Sequence, residues 1–277
     1  MMSKSSKYIL AAGCSFTDKD FWSPEMGADF DCSWPKWPEI LGEYLDLDVK
    51  NIGLCGVSND YITSQVIQNI LRDRDNIELV VIGWTEIQRF GLYDAYRFNP
   101  MIALAHPEKN AFVGPQQKPA IPLYKYLFGD NLVDKHFGVD DSNNLYVQQV
   151  TYWFKQMLQI QELCKAFNIK FIMSSLCGSI RLAKYNQIQP SFEREMTWTE
   201  IQWHIMYGRI KELYELDKDH YIGYPFMKGL HGWQFADIIN GVTGEEYMIS
   251  DRDTHPNANG QELIARYYYE QYAKVYS

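Results

Sequence analysis

Four short stretches of the 277-residue chain carry the residue types that acyl transfer needs. In "AAGCSFT", Ser15 follows Gly13 and Cys14 at the end of an apolar run. A serine in a strand-to-helix turn exposes its hydroxyl, and its own N–H can face a developing oxyanion. "NIGLCGVSND" supplies Gly56, whose unhindered N–H can serve an anion, together with Asn59. "IGWTEIQR" offers Thr85, Glu86 and Arg89, and "DRDTHPNANG" sets His255 just before Pro256, with Asp251 and Asp253 close by. A histidine held at a helix entrance and oriented by a carboxylate is the general base that a serine nucleophile requires. Each stretch also has a plainer reading: a strand–helix turn, a glycine turn with Ser58 or Asn59 as helix cap, a helix start with Thr85 as cap and Arg89 in solvent, and a loop histidine.

These stretches can meet only at one end of a shared sheet. Lys7 to Gly13 reads as a first strand, apolar enough for a sheet covered on both faces. In "SWPKWPEILGEYL", Pro38 opens a helix that puts Ile40, Leu41, Tyr44 and Leu45 on one face. "DVKNIG" is a second strand. "VSNDYITSQVIQNILRDRD" is a helix capped by Ser58 or Asn59, with Ile62, Val66 and Ile70 as its stripe and Ile67 and Leu71 on the adjoining row. "IELVVIGW" is a third, very apolar strand. This β-α-β-α-β order with short loops predicts a doubly wound parallel sheet with right-handed crossovers. Ligands of such sheets sit outside the carboxyl ends of the strands, where the Ser15, Gly56 and Thr85 stretches fall.

The rhythm breaks at about 86–148 and 177–220, read as insertions into one domain spanning 1–277, the first with short helices and the second with a helix at 198–217. Between them, Val150, Trp153, Phe154, Met157, Ile160, Gln161 and Cys164 recur at helical spacing, and "IKFIMSSL" is a fourth strand. "HYIGYPF" reads as a fifth. The last helix starts in "HPNANGQELIARYYYEQYAKVY", capped by Asn257 or Asn259, with Glu262 reaching back and Leu263, Tyr267 and Tyr268 inward.

Composition excludes several other functions. Lys plus Arg number 26 against 35 Asp plus Glu, a net charge of −9, and no basic run occurs, which argues against a nucleic-acid partner. No apolar run reaches the ~18 residues of a membrane span. "MMSKSSKYILAAG" is too short an apolar run for a signal peptide, so synthesis in the cytosol is expected. The five cysteines, at 14, 32, 55, 164 and 177, are odd in number and form no C-x-x-C pair. Five reduced thiols are expected, with neither a disulfide framework nor a zinc site. "AAGCSFT" lacks the G-x-G-x-x-G spacing of a dinucleotide site.

In their order along the chain, Ser15 in "GCS", Gly56 in "NIGLCG", "GWTE" at 83–86 and His255 in "DRDTHPNANG" resemble the SGNH/GDSL hydrolase family. That family places its serine in a "GDS" turn after strand one and its oxyanion glycine after strand two. An asparagine of "GxND" follows strand three, and a "DxxH" precedes the last helix. The resemblance runs end to end over about half the length, leaving both insertions uncovered. It implies a three-layer α/β/α, flavodoxin-like sandwich of about five parallel strands. It also implies an esterase needing no cofactor or metal.

Three departures bear on the chemistry. Cys14 replaces the acid of "GDS"; a Cys14 nucleophile is the weaker alternative to Ser15. Thr85 stands where the oxyanion asparagine is expected, with Asn59 or an insertion residue as its substitute. Arg252 stands three before His255, where the acid is expected. Asp253, two before, is preferred for its compact Asp-x-His spacing, with Asp251 and a Ser-His dyad as alternatives. The implied substrates are O-acetyl or short-chain acyl esters, with the aromatics of "FDCSWPKW" and "GLHGWQFAD" read as a cleft that stacks sugars. The competing reading is a catalytically weak or inactive module of the same fold that binds glycans or serves a structural role, as in a phage particle; assembly into such a particle or release on lysis is the alternative to a cytosolic location. The oligomeric state is left open.

Overall fold

The computed structural model describes residues 7–23, 25–27, 29–87, 89–93, 100–104, 145–177, 211–226, 231–239 and 246–277. Its centre is a five-stranded, all-parallel sheet built from β1 (Tyr8–Gly13), β2 (Asp48–Asn51), β3 (Ile77–Trp84), β6 (Lys170–Ser175) and β7 (Tyr221–Ile222). The spatial order is β2-β1-β3-β6-β7. Apart from Glu78, every side chain of "IELVVIGW" is buried, because β3 is the central strand with helices over both faces.

The chain leaves β1 toward one edge and β3 toward the other. The switch point of this doubly wound order lies between β1 and β3, where such sheets open a crevice at their carboxyl ends. Helices α1 (Trp37–Leu45) and α6 (Ala258–Tyr276) pack together on one face, with the Trp37 ring stacked on Tyr268 at 4.6 Å. Helices α2 (Asn59–Asp73) and α3 (Leu145–Ala166) pair on the other, as right-handed crossovers require. The seven α3 positions from Val150 to Cys164 singled out by their spacing are all buried. The polar member, Gln161, is satisfied there: its Oε1 accepts from Asp217 N at 2.8 Å and its Nε2 donates to Glu215 O at 3.1 Å.

Several expectations give way. After β3 no helix starts at Thr85. The chain turns into an antiparallel ribbon of β4 (Arg89–Tyr93) and β5 (Pro100–Leu104), so the described part of the first insertion is β as far as Leu104 and helical from Leu145, where α3 begins; its expected short helices otherwise fall outside the described residues. Arg89 is not in solvent: it is largely covered and paired with Glu86, with Nε donating to Oε2 at 3.1 Å. Most of the helix expected at 198–217 also lies outside the described residues, and its described end is the short α4 (Glu212–Glu215). The fifth strand shrinks to Tyr221–Ile222, and α5 (Phe235–Ile239) follows.

Tyr44 and Leu71 are exposed rather than packed inward. The Tyr44 hydroxyl donates to Glu262 across the α1–α6 seam. Glu262 therefore closes no capping box: Asn257 is the cap, accepting from Gly260 N at 3.0 Å, and Glu262 stands two residues too far along to reach back. Among the described residues no helix is long and apolar enough to cross a membrane.

Candidate active site

The site grows from the turn after β1. Thr17 N and Asp18 N both donate to Cys14 O, at 2.8 and 3.0 Å, folding residues 14–18 tightly at the sheet's carboxyl end. Gly13 is needed for that fold: a Cβ there would stand 2.1 Å from Thr17 Oγ1 and 2.9 Å from Gly83 O. The β2–α2 loop is laid against the same turn. Leu54 N donates to Gly13 O at 3.1 Å, and Cys55 N donates to the Asp18 carboxylate at 2.7 Å. These bonds bring Gly56 beside the Ser15 turn. Gly56 sits at φ 76°, the left-handed region that favours glycine, and its N–H, like that of Ser15, has no hydrogen-bond partner among the described residues.

His255 arrives from the far end of the chain on a braced loop. Ile249 N donates to His255 O at 2.9 Å, Met248 bridges Pro256, and Asn257 caps α6 directly behind. A tight turn, Ser250 N to Asp253 O and Asp253 N to Ser250 O, both 3.1 Å, leaves Asp251 and Arg252 exposed at its tip and buries Asp253. The Ser15 hydroxyl donates to His255 Nε2 at 2.8 Å, and His255 Nδ1 donates to Asp253 Oδ1 at 2.5 Å. The same oxygen accepts from His255 N at 3.0 Å, and the Ser23 hydroxyl donates to Oδ2. The Phe21 ring lies tilted over His255 with centroids 4.4 Å apart, and Phe16 lies 5.4 Å away.

Burial alone would push the Asp253 carboxyl up. The hydrogen bond and charge of the His255 ring, the Ser23 hydroxyl and the His255 amide outweigh it, and hold the carboxyl down at about 2. Asp253 is thus a buried carboxylate with charge-assisted partners on both oxygens.

The other candidates are placed differently. The Thr85 hydroxyl is fully buried and donates to Cys177 Sγ at 3.8 Å, so it is turned to the thiols and away from the expected oxyanion role. Asn59, buried at the start of α2, is a peg for the end of β3. Its Oδ1 accepts from Thr85 N at 3.0 Å, and its Nδ2 donates to Thr85 O and Glu86 O at 3.2 and 3.5 Å. Both amide hydrogens are engaged, which corrects its reading as a substitute oxyanion donor.

Cys14 points inward, its Sγ 3.4 Å from that of Cys177. Contact with Cys177 pulls the Cys14 thiol down; burial opposes this and the nearby Arg89 guanidinium assists it. Cys14 is buried against Cys177 while the Ser15 hydroxyl takes His255 Nε2, so it is not placed as the nucleophile. All five thiols are free. Of the aromatics expected to line a sugar cleft, Trp37 and Phe235 are fully buried and Trp233 packs edge-on against Phe235 and Tyr267, whereas Phe30 and Trp34 are half-buried, edge-on to each other and packed beside Phe21. No cluster of three His, Cys, Asp or Glu side chains suited to a metal occurs among the described residues.

Two contributors were missed by sequence reasoning. Asp18, which ties down the Gly56 loop, has the signature of a turn residue, since its Oδ1 accepts from Asp20 N at 3.0 Å. Ser23 had none, because its partner lies 230 residues away.

No protein-family model matches the chain, and no curated protein does. Three solved structures it resembles are low in identity and nearly complete in coverage. A G-D-S-L family protein from Desulfitobacterium hafniense is 14% identical, covering 96% of this chain and 99% of that one, with a TM-score of 0.43. A catalytic mutant of Axe2, an acetylxylan esterase from Geobacillus stearothermophilus, is 14% identical over 98% and 96%, with a TM-score of 0.45. LAE5, an alpha/beta hydrolase from the metagenome of Lake Arreo, is 13% identical over 98% and 97%, with a TM-score of 0.44. The chain's structural neighbours thus include G-D-S-L and acetylxylan-esterase proteins, at identities where the site itself must carry the functional argument.

Proposed function

We propose that the protein is a serine esterase of the SGNH/GDSL type, with Ser15 as nucleophile, His255 as general base and Asp253 as the acid that orients and charge-balances the ring. The observation that carries this reading is the unbroken line of hydrogen bonds from Ser15 Oγ through both nitrogens of His255 to Asp253. A neutral imidazole has one donor and one acceptor nitrogen. Asp253 at Nδ1 leaves Nε2 as the acceptor facing the serine.

In the reaction, His255 Nε2 takes the hydroxyl proton as Ser15 Oγ bonds to the ester carbonyl carbon. The N–H groups of Ser15 and Gly56 receive the oxyanion. The imidazolium then passes its proton to the leaving alkoxide oxygen, the alcohol departs, and an acyl-serine remains. Water enters in the alcohol's place; its oxygen bonds to the acyl carbon as His255 takes its proton, and the imidazolium returns that proton to Ser15 Oγ as the Oγ–acyl bond breaks and the carboxylic acid leaves.

A nucleophile only 3% exposed suits a small acyl group such as acetyl. Trp22 is 56% exposed between Phe21, which covers His255, and Ser23, which binds Asp253. That exposed aromatic, on the segment that borders the triad, is the ground for counting a carbohydrate among the alcohols to be tested.

A second reading, a glycan-binding module with slow chemistry, draws on the engaged Thr85 hydroxyl and Asn59 amide, which leave the oxyanion to two backbone donors. Fluorophosphonate labelling and turnover of p-nitrophenyl acetate and acetylated xylo-oligosaccharides separate the two. The esterase reading expects labelling lost in Ser15→Ala and turnover lost in His255→Ala. A wild type that neither labels nor turns over any ester overturns it.

A further inference from the structure

Ser23 lies in the segment between β1 and α1, far from His255 in the chain and fully buried beside Asp253. Of the carboxylate's two oxygens, Oδ1 is occupied by the Nδ1 and N of His255. Among the described residues, Oδ2 has Ser23 as its one donor. A buried carboxylate oxygen without a donor is costly, so this hydroxyl helps decide how the carboxylate sits.

The hydroxyl is itself aimed. Ser23 Oγ accepts from Met26 N at 3.1 Å, which occupies a lone pair and leaves the single O–H to point at Asp253. Two residues earlier, Phe21 lies over the His255 ring. The alternation of buried Phe21, exposed Trp22 and buried Ser23 turns the first and third side chains toward the site together.

We propose that Ser23 is a positioning residue: its hydroxyl fixes the Asp253 carboxylate, and the Phe21–Ser23 segment clamps the acid and the imidazole as one unit. The proposal rests on the esterase reading. Ser23 touches neither substrate nor the reacting atoms and acts through Asp253.

The test compares Ser23→Ala, Ser23→Thr, Asp253→Ala and the double variant Ser23→Ala/Asp253→Ala in the full chain. Losing one hydrogen bond to a charged group is expected to lower kcat about ten-fold or more with KM little changed. Ser23→Thr, which keeps the hydroxyl, restores most of the loss. In the Asp253→Ala background, Ser23→Ala costs almost nothing further, since the group it acts through is gone. Losses that multiply in the double variant, or a Ser23→Ala enzyme equal to wild type, overturn the proposal.

If Ser23→Ala does not fold, Ser23→Cys fills the same space with a weak donor and is expected to show the same loss. A readout independent of turnover is the low-field proton resonance of the His255 Nδ1–H bond to Asp253. It is expected in wild type and Ser23→Thr, and broadened or lost in Ser23→Ala. If wild type neither labels nor turns over esters, the esterase reading falls alone and this resonance decides the role of Ser23. A resonance unchanged in Ser23→Ala overturns it.

Discussion

Replacing Asp253 by asparagine tests the electrostatics of the site without any assay of turnover. The folded-state carboxyl is held down at about 2, whereas an unfolded chain gives an aspartate its ordinary value of about 3.9. A depressed carboxyl contributes stability that is fully present above the unfolded value and is lost as pH falls through the folded one. The difference of roughly 1.9 units, at 1.36 kcal/mol each, amounts to about 2 to 3 kcal/mol at neutral pH, lost mainly between about pH 4 and pH 2. Asp253→Asn cannot titrate and lacks that loss. Urea unfolding of both proteins at pH 7, 4 and 2 should therefore find the variant's stability deficit shrinking by about 2 kcal/mol across the lower interval. Other carboxylates titrate alike in both proteins and cancel in the comparison. A deficit that stays constant from pH 7 to pH 2 would refute the claim that His255 and Ser23 stabilise an ionised Asp253.

Thr85→Val removes only a hydroxyl, one turned to Cys177, so kcat should change well under ten-fold. A fall of about 10²–10³ would mark Thr85 as an oxyanion donor after all. Cys14→Ala should keep fluorophosphonate labelling at Ser15, as mass spectrometry of the labelled peptide can check; lost labelling would favour the thiol as nucleophile. Gly13→Ala forces a Cβ to within 2.1 Å of Thr17 Oγ1 and should destabilise the fold by about 1–3 kcal/mol or more, read as a lower Tm.

Much of the architecture was legible because its causes are local. An unbroken apolar run such as "IELVVIGW" suits only a strand covered on both faces, and the 3.6-residue spacing from Val150 to Cys164 fits one buried helix face. Errors arose where a distant partner overrode local preference. Arg89 looked solvated, yet the ribbon after β3 folds it in against Glu86 and Val57 O. Glu262 suited a capping box based on Asn259, but Asn257 takes the cap and Tyr44 takes Glu262.

The sequence by itself determined that a serine would stand in the turn after the first strand, and a histidine at the entrance of the last helix. Strand and helix periodicity and the Asn257 cap act within a few residues and need no distant partner. Only the tertiary structure decided which carboxylate faces His255, where the hydroxyls of Thr85 and Ser23 point, and that Asn59 pegs Thr85. A hydrogen bond's direction belongs to the pair, and these pairs are closed by segments up to 230 residues apart, which meet only when the sheet gathers its carboxyl ends at one crevice.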